Sequence, residues 1–249
     1  MPTMPAFPAS IAAAAALFLT LFSPSAQAGD TAAVEVLGFS ADGGTFAFEE
    51  YGIQDGSGFP YANRFYIDTA TDRFVAGTPV RVRIDDESVP LEAARAEAKA
   101  RGQSVISDAI LAANRSFAAG MNAVTELSAD PFRMAVNPRP VVPPIDKPLE
   151  FRLEELGVVA PERCRDLGDI KGFRLVKVAT APGSRARLIH EDSGIPQSRG
   201  CPLGYGIAGV QTFFPESGAP VFAVLIAVRS FGFEGPDHRF IAVAGPIGD

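Results

Sequence analysis

The chain has 249 residues, 22 Lys and Arg against 29 Asp and Glu, a formal charge of −7 and 47% hydrophobic residues. That is enough chain for one large core or two small ones. The acidic balance, with no basic run, speaks against nucleic acid or anionic lipid as a partner, and the 2 His exclude a three-histidine zinc site.

The first predicted element is a targeting segment. Ile11–Phe22 is an uncharged apolar run, too short to cross a bilayer as a helix, and Ser23, Pro24 and Ala26-Gln27-Ala28 follow it. The pattern predicts a signal peptide over residues 1–28, removed after Ala28, and a protein exported to the periplasm or medium with no membrane insertion after cleavage. No Lys or Arg precedes the run, and the competing reading is a retained anchor or an internal start. Both cysteines, Cys164 and Cys201, lie beyond it. An even count in an oxidising compartment predicts one disulfide, worth roughly 4 kcal/mol in the chain-entropy picture. A catalytic thiol is the alternative and needs a neighbouring base.

From residue 29 to 87 the pattern is an antiparallel meander. Val34–Phe39 is a strand, and Ser40-Ala41-Asp42-Gly43-Gly44 is a turn of residues that tolerate positive φ. Thr45–Tyr51 returns, with Phe46, Phe48 and Glu50 on the buried face and Ala47, Glu49 and Tyr51 on the other. Residues 52–60 are a glycine-rich loop carrying Asp55. Arg64–Thr69 is a third strand, and Phe74–Ile84 a fourth, interrupted at Gly77 and Pro79.

A helical segment is expected over residues 88–120. Leu91–Arg101 forms one helix, and a second, capped by Ser104, runs through Val105, Ile110 and Phe117 to Gly120. Six prolines make residues 131–148 an extended connector. Residues 149–249 are β again, with strands at Phe151–Glu154, Phe173–Ala179, Ala186–His190, Ile207–Phe214, Val221–Val228 and Arg239–Ala244. Val221–Val228, apolar on both faces, is the expected central strand. The fold class is mainly β with a helical insertion: a blade-like antiparallel meander, two helices, then an antiparallel sheet or sandwich half. Residues 29–249 are expected to form a single compact unit, because the first part has few strands for a core of its own.

Gly38–Gly43 followed by Phe46-Ala47-Phe48 resembles the strand-turn-strand signature of one TolB-type, WD40-like propeller blade, with no second copy of its Ser-x-Asp-Gly turn. A longer likeness, carried by Phe46–Tyr61, Gly77-Thr78-Pro79-Val80 and Gly232–Asp237, resembles an uncharacterised family of predicted secreted bacterial proteins, domain of unknown function 2259. It implies export and a shared fold, and no activity.

The two halves also echo each other. Tyr51–Gly56 leads to Arg64-Phe65, and Phe231–Gly235 leads to Arg239-Phe240. Each is an aromatic-Gly-apolar strand end, an acid, a Gly, then an Arg-Phe strand opening; acids and glycines are common in hairpin loops, the plainer account. The site expected from this echo is an acidic, aromatic surface of Glu50, Tyr51, Asp55, Tyr61, Glu234 and Asp237. Its expected use is binding an envelope protein or a small ligand, with no cofactor and no metal. The alternative is an envelope hydrolase using Asp55 and Glu234 as paired carboxylates; Glu49 and Glu50 cannot be such a pair, since strand neighbours point to opposite faces. No serine-nucleophile elbow, phosphate loop or calcium loop is present in the sequence.

Overall fold

Alternating patterns and turn residues produce three antiparallel sheets in the computed structural model, which describes residues 29–178, 185–232 and 235–248. The first sheet holds β1 (Ala33–Phe39), β2 (Thr45–Ile53), β3 (Pro60–Asp68), β4 (Arg73–Phe74) and β5 (Val80–Arg83), the last two both pairing with β3. Its first turn is locked by side chains. Asp42 Oδ1 accepts from Ser40 Oγ at 2.6 Å and from the Gly44 amide at 2.9 Å, while Gly43 takes φ 74°, a value that favours glycine. These bonds hold the Asp42 carboxyl below the ordinary carboxylate range.

Two helices cover the outer face of this sheet. In α1 (Leu91–Gly102) Ala94 and Ala98 are buried against Ala62 and Val82. The second helix is shorter than the sequence predicts. It spans only Asp108–Ala113 (α2), capped by Ser107 rather than Ser104, and Leu111 packs on Ala47 and Tyr66. Phe117–Met121, predicted as the end of that helix, is instead strand β6, paired with residues 209–212. An open sheet edge supplies a hydrogen-bonded ladder there, and that tertiary partner outweighs the helical spacing of the apolar residues. The expected connector likewise contains a strand, β7 (Arg133–Val136), which lies between its prolines and keeps its ladder donors.

Beyond it come β8 (Leu149–Gly157), β9 (Lys171–Lys177), β10 (Arg187–Glu191), β11 (Pro202–Phe213), β12 (Val221–Ser230) and β13 (Asp237–Pro246). They form two sheets. The central one runs β13-β12-β11-β6 and the far one β10-β9-β8-β7. β12 explains the stacking: Phe222, Val224, Ile226 and Val228 enter one core with Phe151, Phe173 and Leu175 of the far sheet. Its alternate residues Val221, Ala223 and Leu225 enter a second core with Phe39, Phe46, Phe48 and Phe65 of the first. VFAVLIAV is therefore covered on both faces, as its unbroken hydrophobicity requires.

The two cores differ in grain. Small residues of the central sheet, Ala208, Ala223 and Ala244, face the phenylalanines of the first sheet, so large and small side chains interdigitate. Phe48 and Phe65 stack there at 4.6 Å between centroids. The β1–β4 meander is the unit that the blade resemblance implies. Among the described residues, however, the sheets stack face to face and do not repeat around an axis. No described helix is long and apolar enough to cross a membrane.

Candidate functional site

A cavity opens where the layers stop matching. β13 is the edge strand of the central sheet and lies over β2, with the Phe240 amide donating to Glu50 Oε2 at 2.8 Å. Past that edge, the face of β3 and β5 that carries Asn63, Arg81 and Arg83 borders open space. The loop carrying Ser198, Arg199 and Cys201 faces it, and a cavity of about 720 Å³ remains between them. The loop is fixed by the disulfide Cys164–Cys201, whose Cα atoms lie 5.5 Å apart, as the cysteine count predicts. The bond ties it to a short 3₁₀ turn at Glu162–Cys164.

Strand register arranges the floor. Glu50 pairs with Asn63, and Asn63 with Arg81, so the three form one row across β2, β3 and β5 on the cavity face. Two positions along, Tyr61 pairs with Arg83. Glu50 is 3% exposed, and its Oε1 accepts from Asn63 Nδ2 at 3.0 Å. Burial raises its carboxyl above the ordinary range, against smaller opposing effects of the Phe240 amide, Asn63 and the Arg239 and Arg81 charges.

The wall beside Glu50 is a closed network. Arg239 Nη2 meets Asp30 Oδ2 at 2.6 Å, and the guanidinium lies 4.8 Å from the Tyr61 ring centroid. Asp237 Oδ1 accepts from the Asp30 amide at 3.0 Å. Burial raises the pKa of both Tyr61 and Asp30.

Of the residues expected to form one surface, Glu50, Tyr61 and Asp237 line this cavity together. Tyr51 does not. It points to the opposite face of β2, where the Arg95 guanidinium of α1 lies 3.7 Å from its ring centroid. Asp55 sits at the tip of the β2–β3 hairpin, and its neighbour Gln54, not Asp55, lines the cavity. Glu234 lies outside the described residues. Both echoed hairpins still reach the cavity, one through Gln54 and the other through Phe231.

The chain belongs to the family of predicted secreted proteins DUF2259. The family model matches residues 47–246, which include every cavity-lining residue from Glu50 to Ile241. No curated protein and no solved structure matches the chain. The DUF2259 span therefore contains the whole Glu50–Asn63–Arg81 row, whereas Asp30, which holds Arg239, precedes it.

Sequence reasoning missed Asn63, Arg81 and Arg199 in this DUF2259 protein. The alternation of Val80-Arg81-Val82-Arg83 puts both arginines on one face and is a signal that could have marked β5. Arg199 enters through its nearness to Cys201, and nothing local marks it. Among the described residues no cluster of His, Cys, Asp and Glu is arranged to hold a metal ion.

Proposed function

We propose that the protein is a periplasmic binding module, exported by a signal sequence removed after Ala28, and that the cavity beside Glu50 is its binding site. One observation carries this reading. A space of about 720 Å³, the size of a small-molecule site, gathers polar side chains from β2, β3, β5, β13 and the disulfide-tied loop. A concave site of this size suits a small ligand better than a flat protein partner. The hydrolase alternative gains no support, because Asp55 is not among the lining residues.

Native mass spectrometry of the protein purified from envelope fractions tests the reading. The wild type is expected to carry a bound small molecule, and Asn63→Trp, which fills the cavity, to lack it. Identical spectra for the two would sink the proposal. The same spectra give the chain's mass, and export as proposed requires an amino terminus at Gly29.

A further inference from the structure

The charges around the cavity are almost all matched. Arg83 Nε meets Asp85 at 2.7 Å, Arg199 Nη1 meets Asp192 at 2.5 Å, and Arg239 holds Asp30 at 2.6 Å with Asp237 at 4.0 Å. Two lining charges make no ion pair among the described residues, and they have opposite signs. They are Glu50 and Arg81, the two ends of the row that Asn63 joins.

We propose that the cavity binds a dipolar ligand bearing a free ammonium and a free carboxylate, an amino acid or short peptide, with its ammonium on Glu50 and its carboxylate on Arg81. The inference rests on the reading of this cavity as the binding site. Glu50 uses one acceptor site on each oxygen, for Asn63 and Phe240, and a carboxylate has about four. Room for a further donor remains. Arg81 is exposed, lies 5.5 Å from the Phe65 ring centroid, and keeps its planar fork for a bidentate carboxylate.

The spacing fits such a ligand. Two strand steps separate the backbones of Glu50 and Arg81 by about 10 Å, and both side chains project from the same face, leaving a gap of the length of one to three residues. Asn63 lies midway, its carbonyl oxygen available to a ligand N–H. Phe65, Phe231 and Phe240 also line the cavity and offer apolar surface to a ligand side chain. Burial holds the Glu50 carboxyl above its ordinary range, and a bound ammonium relieves that penalty.

Isothermal titration of the purified protein with alanine, dialanine and trialanine, and with the N-acetyl and C-amide forms of the tightest of them, tests this. One free form is expected to bind, and each blocked form to bind at least tenfold more weakly. Arg81→Gln is expected to weaken the free form at least tenfold and to erase discrimination against the amide. Glu50→Gln should do the same for the N-acetyl form. Arg81 is exposed and makes no ion pair among the described residues, so its variant is expected to fold even if a Glu50 variant does not. No binding across the panel, equal binding of blocked and free forms, or unchanged discrimination in Arg81→Gln overturns the proposal. If a blocked form binds as tightly as the free form and Asn63→Trp removes that binding, the cavity stands as the site and the dipolar specificity falls. If Asn63→Trp leaves that binding intact, both fall.

Discussion

Glu49 and Glu50 are adjacent on one strand, and both are almost fully buried, at 1% and 3% exposure. Their surroundings differ completely. Glu49 faces the helices, where its two oxygens meet Arg64 Nε at 2.8 Å and Arg95 Nε at 2.6 Å, and Arg64 in turn holds Asp108 in a fork at 2.7 and 3.1 Å. Glu50 faces the cavity and, among the described residues, has hydrogen bonds but no ion pair. One buried carboxylate fastens α1 and the start of α2 to the first sheet. Its neighbour meets no guanidinium at contact distance, and the Arg239 and Arg81 charges act on it from farther off, against the larger effect of burial. The difference teaches that burial alone does not fix how an acid is held: the face it points to decides whether it meets guanidinium groups at contact distance or only hydrogen-bond donors.

The comparison breaks most sharply at Arg64. Arg64→Ala leaves Asp108 without its fork and Glu49 with one partner, and the loss of a buried pair costs about 3–5 kcal/mol, measured by urea unfolding. Next in size is His190, the histidine between layers. It lies 3.1 Å from Asp192, 3.5 Å from Asp72, and stacks on Phe173 at 4.6 Å. Although burial opposes its charge, these two carboxylates push its pKa up to about 9. A raised histidine pKa adds stability that is complete below the unfolded value of 6.5 and is lost as pH rises through about 9. Unfolding free energy should therefore fall across that window by about 1–2 kcal/mol, screening of a partly exposed group included. The His190→Gln profile should be flat there.

Glu50→Gln sharpens the contrast with a smaller effect. Its carboxyl is raised by burial, so the native state favours the protonated form, and the wild type loses stability as pH rises above 4.5. The variant is expected to remove that slope and to change stability at pH 7 by less than about 1 kcal/mol, because glutamine can keep both hydrogen bonds once Asn63 turns its amide. A loss as large as that of Arg64→Ala would make Glu50 a structural acid like Glu49. The smallest effect belongs to Arg81→Gln, whose thermal midpoint should match the wild type while ligand affinity falls.

Much of the fold is legible locally. The Ser40–Gly44 turn, the hairpins and the disulfide follow from turn residues, period-two alternation and a cysteine count of 2. The doubly covered VFAVLIAV strand follows from its composition. What failed was β6, because Phe117–Met121 has no strand alternation of its own and becomes one by pairing with residues 209–212, about ninety positions later. The cavity was legible in part for the same reason. Glu50, Tyr61 and Asp237 stand out beside glycine-rich turns, whereas Asn63 and Arg81 gain meaning only from cross-strand register, and Arg199 from a loop held by the disulfide.

The sequence by itself determined that Glu49 and Glu50 point to opposite faces of one strand, since side chains alternate along extended backbone. Only the tertiary structure decided what waits on each face. The helices bring Arg95 and Asp108 to one side, and the central sheet ends at β13 on the other, leaving Glu50 and Arg81 open to a cavity. Counter-charges arrive from elements far along the chain, and no local pattern encodes their arrival.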